Sequence, residues 1–254
     1  MDMTLLLALI ACKDPQMLTV SVTDAWNEPI EGVTVKFAGL VEEQATDDKG
    51  TASMEVQPGA LELMIGKEGY IHEFGNVSVP DEGNPEAITF LLFPQPEEAG
   101  FYGVGAKGPY QQLGAEQIRT VATEATTWHG IKSVPQDTLR GGQPQRFIFH
   151  TTLRASELKQ QDLKLSRLEF KEDVEVRGVL GNTEIDLDLW VAGEDLGFDI
   201  KGTQSTDDYM IISEEVLEPG IYAFHAQGIL NSTEAEALDK LPKELRVAYP
   251  FEVK

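Results

Sequence analysis

Along the first third of the chain, apolar and polar positions alternate with period two, in short runs cut by turn residues. Leu18, Val20 and Val22 alternate with Thr19 and Ser21, which predicts a strand over 18–22 with one buried face. The same reading predicts strands over 33–37, 51–56, 61–65, 71–74, 76–79 and 88–93. The breaks carry turn chemistry: Asp24 to Ile30, Thr46-Asp47-Asp48-Lys49-Gly50, Pro58-Gly59 and Gly69-Tyr70. Gly50 is placed to take the positive φ of a hairpin turn. Seven or so short, turn-punctuated strands predict a small β-sandwich over 17–93.

The remainder repeats the β pattern less regularly. Strands are expected from Gly100 to Gly105 and over 146–150, 165–170, 174–179, 184–190, 209–213 and 221–226. Tyr222 and Phe224 share one face of their strand and read as core. A short helical turn over 156–162, with Ser156 as its cap, is one of two helix candidates. The other, over 233–241, has Thr233 and Glu236 as a capping box and Pro242 as its stop. The expected fold class is all-β: two sandwich-like domains, with a short helix near the C-terminus of the second.

Length and charge sharpen this. The chain has 254 residues, enough for two domains, and 41% of them are hydrophobic. Residues 1–100 hold 18 acids and 4 bases, and no arginine precedes Arg119. That break and the sequence Phe93-Pro94-Gln95-Pro96-Glu97-Glu98-Ala99-Gly100 predict a stiff, solvated linker over 94–100. The second domain then spans 101–254. Acids outnumber bases 43 to 20, a formal charge of −23. Such a chain is repelled by nucleic-acid phosphates, so no nucleic-acid partner is expected. A single cysteine leaves no intramolecular disulfide and no CxxC site.

Residues 5–11 form an apolar run too short to span a bilayer as a helix, which takes about 20 residues. It ends in Leu9-Ile10-Ala11-Cys12, which resembles the lipobox of bacterial lipoproteins. The resemblance implies a signal peptide over 1–12 cut before Cys12. It implies a diacylglycerol on that thiol, further acylation (palmitate among the chains), and a membrane partner through the lipid alone. Asp2 stands where that family carries Lys or Arg, and a buried first strand over 4–11 is the alternative. Lys13 after the cysteine implies sorting to the outer membrane of the cell envelope, on its periplasmic or surface side.

The first domain resembles the carboxypeptidase regulatory-like domain, a transthyretin-like sandwich. The matching residues are Val20, Val22 and Asp24, Pro29 to Val35, Thr46 to Gly50, Pro58-Gly59 and Gly69-Tyr70. Asn27, Val33 and Leu61 depart from the usual pattern. The resemblance implies a non-catalytic spacer or binding module.

Candidate chemistry is sparse, and no cofactor is expected. Gly103-Val104-Gly105-Ala106-Lys107-Gly108 is formally GxGxxG, but Pro109-Tyr110 follows where a dinucleotide site needs a helix, so a hairpin is expected. His72, His129, His150 and His225 show no metal-binding spacing. His150 and His225 each lie in a core strand and are candidates to meet across a sheet around a metal. His72 and His129 read as exposed loop residues. Glu184, Asp186 and Asp188 share one strand face, either as calcium ligands or as a solvated face that resists edge pairing. No serine sits in a nucleophile elbow, and no catalytic constellation emerges, so the chain is read as no enzyme. The expected function is an envelope-anchored, non-catalytic binding or structural module with a protein or glycan partner. The alternatives are a small-ligand carrier walled by Trp128, Trp190 and Tyr209, and an accessory subunit of an envelope enzyme or secretion assembly.

Overall fold

A computed structural model describes residues 14–38, 43–105, 110–122, 127–134, 138–177, 184–230, 238 and 240–254. The fold is all-β. The chain divides into two compact units at Phe93/Pro94.

The first unit has strands β1 (Gln16–Thr23), β2 (Thr34–Phe37), β3 (Glu43–Ala45), β4 (Thr51–Val56), β5 (Gly59–Gly66), β6 (Glu73–Val79) and β7 (Ile88–Leu91). They form sheets ordered β4-β1-β7 and β3-β2-β5-β6. β7 runs parallel to β1, and the other pairs are antiparallel. Leu18, Val20 and Val22 from one sheet and Val33, Val35, Phe37, Leu63 and Ile65 from the other make one core. The two sheets thus form a sandwich. The expected strands over 71–74 and 76–79 are one strand, β6, running through Gly75.

Polar side chains fix the turns of this unit. Asp47 Oδ1 accepts from the backbone N–H of Lys49 (3.0 Å) and Thr51 (2.8 Å). Gly50 takes φ +69°, and a Cβ there would lie 2.5 Å from the Val22 carbonyl oxygen, so only glycine fits. The buried Thr46 hydroxyl donates to the Ile30 carbonyl (2.6 Å) and accepts from the Val33 N–H (2.9 Å). These bonds satisfy backbone groups where the chain passes between sheets.

The second unit has strands β8 (Gly100–Val104), β9 (Tyr110–Gln112), β10 (Glu116–Gln117), β11 (Arg119–Ala122), β12 (Thr127–Gly130), β13 (Thr138–Leu139) and β14 (Pro144–His150). Helix α1 (Ala155–Gln160) follows. Then come β15 (Leu163–Arg177), β16 (Glu184–Leu196), β17 (Phe198–Gly202), β18 (Asp208–Val216), β19 (Gly220–Ala226) and β20 (Val247–Val253). One sheet runs β10-β20-β19-β15-β16, with β13 parallel to β20; the second runs β17-β18-β14-β8-β9; β11 and β12 form a hairpin. Aromatic rings from both sheets meet in the core. Phe101 stacks on Phe149 at 4.1 Å and on Phe224 at 4.4 Å, and Phe147 meets Phe224 edge-on at 4.8 Å.

Several expectations change. The strands expected over 165–170 and 174–179 are one 15-residue strand, β15, with register shifts at Ser166/Leu168 and Lys171/Val174. The helix near 156 is capped at Arg154, not at Ser156: the Glu157 carboxylate accepts from the Arg154 N–H at 2.8 Å. The 94–100 segment is not a freely solvated linker. Pro96 is buried, the Glu98 carbonyl accepts from the Tyr102 hydroxyl (2.8 Å), and the Ala99 carbonyl accepts from the Gln112 amide (3.0 Å). β8 and β9, on either side of the glycine-rich run, pair antiparallel; residues 106–109 fall outside the described residues. The helix expected over 233–241 falls largely outside the described residues, as does Cys12.

Candidate functional site

The candidate polar residues sit on the outward faces of two different sheets. In β14, Phe147 and Phe149 point into the core, so His150 points away from it. Its Nδ1 lies 2.7 Å from Oδ1 of Asp208, its cross-strand partner on β18. Asp208 is fully buried, and its Oδ2 has no hydrogen-bond partner among the described residues. Tyr102 and Tyr110 stack on the same face at 5.3 Å. Burial, reinforced by the Asp208 charge, raises the pKa of the Tyr110 hydroxyl.

In β19 the parity is the mirror case. Tyr222 and Phe224 point into the core, so His225 points to the opposite face of its own sheet. His150 and His225 therefore do not meet, and the two-histidine metal pair is corrected. Among the described residues, no group of three potential metal ligands converges. Asp188 is exposed on β16. Asp186 lies on the same strand, in register with Glu175. His129 is not an exposed loop residue: it is buried on β12, with Nδ1 3.0 Å from the Thr120 hydroxyl. Burial lowers its pKa.

The second histidine has an unforeseen partner. Ser166 Oγ lies 2.8 Å from His225 Nε2 and 2.5 Å from Asp195 Oδ1. His225 Nδ1 faces the Ala226 carbonyl at 2.9 Å and must donate to it. A carboxylate, a serine and a histidine are thus linked, but with the serine in the middle. A nucleophilic relay needs the histidine between serine and carboxylate. Here the Ser166 hydroxyl is fully buried, and the histidine's second nitrogen is committed to a backbone carbonyl. The arrangement can order a sheet face but does not present an activated nucleophile. Burial lowers the His225 pKa, against the opposing pull of the Ala226 carbonyl and Asp195. Spacing along the chain did not reveal the trio, because it rests on pairing across three strands.

The aromatic candidates separate. Tyr209 is buried, its hydroxyl donating to the Leu153 carbonyl at 3.0 Å. Trp128 is half-buried on β12. Trp190 packs partly on the core and forms a two-way backbone bridge to Ile131, both bonds 2.9 Å. None of the three borders either of the two concavities described below. Trp190 lies directly across from Phe170, ring centroids 4.9 Å apart and tilted 45°. β19 covers β15 only as far as Arg167, while β15–β16 pairing continues to Arg177 and Glu184. The Phe170–Trp190 pair therefore stands on a ribbon that outruns its sheet, and Phe170 is 42% exposed.

Two concavities lie among the described residues. A groove of about 480 Å³ in the second unit is bordered by Lys159, Lys164, Asp162, Asp195, Phe198 and Glu214. A notch of about 400 Å³ on the outer face of the first unit is bordered by Thr34, Lys36, Met64, Gly66, Lys67 and His72, among others.

No family model matches the chain. No curated protein matches it either. A search of solved structures returns a candidate carbohydrate-binding protein from Bacteroides uniformis ATCC 8492, at 12% identity and a TM-score of 0.25, over 82% of this chain and 86% of that one. That likeness assigns no residue of the sites above.

Proposed function

We propose that this protein is a lipid-anchored, non-catalytic module of a bacterial cell envelope that binds glycan through the Phe170–Trp190 ribbon. The observation that carries the binding half is a large ring, 42% exposed, paired across the strand with a half-buried tryptophan on an extension that the sheet does not cover. An exposed aromatic face offers stacking area at small ordering cost. Trp190 holds Phe170 from one side, and the backbone bridge at Ile131 holds Trp190. The wrongly ordered Asp195–Ser166–His225 chain, with its serine and histidine buried, supports a non-catalytic reading. The anchoring half rests on Ala11-Cys12 and on the absence of any other cysteine. The first unit reads as a regulatory-like spacer carrying the second.

The test is affinity electrophoresis of wild type and Phe170→Ala through gels containing a panel of soluble polysaccharides. Retardation of the wild type by at least one polysaccharide, lost in Phe170→Ala, supports the reading. Equal retardation of both proteins, or none in any gel, refutes it.

A further inference from the structure

We propose that the notch on the outer face of the first unit binds the carboxylate-bearing ring of a uronic acid. This site does not involve Phe170 and stands apart from the reading above. Its floor is the β2–β5 pair, where Thr34 faces Gly66 and Lys36 faces Met64. The missing side chain at Gly66 seats the His72 ring as one wall: a Cβ there would lie 2.8 Å from the ring, which rests directly on the glycine. The space, about 400 Å³, suits one sugar ring and its substituents.

The charges select the ligand. The chain carries −23, yet two of the three described lysines of the first unit, Lys36 and Lys67, border this one notch. The third, Lys49, sits at the β3–β4 turn. Lys67 is held in place: its ammonium donates to the Glu31 carbonyl at 2.8 Å and lies 5.7 Å over the Tyr70 ring. A fixed ammonium loses little freedom on binding. Lys36 is half-buried, and among the described residues no carboxylate lies within 4.0 Å of its ammonium, although Glu43 stands across from it on β3. Lys36 thus offers the notch a cation with no described carboxylate paired to it. Met64 and the His72 ring supply the apolar wall that a sugar's C–H face packs on, and the Thr34 hydroxyl can bond its hydroxyls. Glu68 on the rim disfavours dianions such as phosphate and leaves a singly charged carboxylate as the fit.

The test titrates the chain with sodium glucuronate, glucose, sodium acetate and inorganic phosphate, followed by amide chemical shifts. Glucuronate is expected to move the Thr34, Gly66 and His72 amides, with glucose, acetate and phosphate each at least about tenfold weaker. Lys36→Met and Lys67→Met should each weaken glucuronate by about tenfold or more. Lys49→Met removes the same charge elsewhere and should change affinity less than about twofold at 0.15 M salt, where screening acts within roughly 8 Å. Acetate or phosphate matching glucuronate, shifts mapping to another surface, or unchanged affinity in either folded lysine variant would each overturn the assignment.

Discussion

Removing the Ser166 hydroxyl isolates what the Asp195–Ser166–His225 trio contributes. The single Ser166 hydroxyl proton is shared between two neighbours, Asp195 Oδ1 and His225 Nε2, and Ser166→Ala takes it from both, unequally. Asp195 is exposed and takes a water in exchange. His225 is 2% exposed; its Nδ1–H is spent on Ala226, so its Nε2 is left as a buried acceptor with no donor. Stranding a buried polar atom costs about 1–3 kcal/mol. A loss near 2 kcal/mol in a unit of this size lowers its Tm by roughly 4–8 °C. The measurement is urea unfolding of wild type, Ser166→Ala, His225→Leu and the double variant. Intrinsic fluorescence reports the second unit through Trp128 and Trp190 and the first through Trp26. In the His225→Leu background no buried nitrogen remains to be stranded, so Ser166→Ala should cost only a few tenths, giving a coupling of about 1–2 kcal/mol. A Ser166→Ala protein as stable as wild type, or an equal cost in both backgrounds, would refute the assignment of the penalty to His225.

Cys12→Ser should abolish labelling by a palmitate analogue and release the protein from membranes; retention of an intact, unlabelled protein in the membrane fraction would end the lipoprotein reading. Phe224→Ala removes the ring that touches Phe101, Phe147 and Phe251 and should cost the second unit about 3–5 kcal/mol by urea unfolding; a loss under 1 kcal/mol would contradict the shared aromatic core. His129 and His225 both have pKa values lowered by burial, so below an unfolded-state pKa of about 6.5 the unfolded chain binds more protons than the folded one. Their stability contribution is full above that pH and is lost as pH falls through the lower, folded-state values; a wild type that keeps its urea midpoint from pH 7 to 5.5 would contradict this sign.

The parts of the fold legible in the sequence are those where one face is buried. Leu18, Val20 and Val22 alternate with polar residues and fill a core, and Phe147 and Phe149, two apart on β14, fill the other. The Asp47–Gly50 turn was legible because its residue types leave one conformation open. β20 was not, because Pro250 in its middle argues against a strand with partners on both sides. It lies opposite Ala223 of β19, while β10 and β13 pair with other stretches of β20. β15 read as two strands because its register shifts break the alternation twice. His129 read as a loop residue because β12 is only four residues long and its environment is not local.

The candidate sites divide along the same line. That His150 and His225 face away from the core follows from parity alone, since each is one residue out of phase with a core phenylalanine. Parity cannot say what each histidine faces. Asp208 reaches His150 only through the register of β14 on β18, and Ser166 sits beside His225 only where β15 is in register with β19. The Ser166–Leu168 shift begins just past that point. One residue more or less before it would turn Ser166 into the core and leave His225 without its hydroxyl partner. The notch over Gly66 obeys the same logic: Lys36 and Thr34 share a face with Met64 and Gly66 only in the observed β2–β5 register. Residue types restrict which chemistry a chain can hold, and strand register decides which of those residues act together.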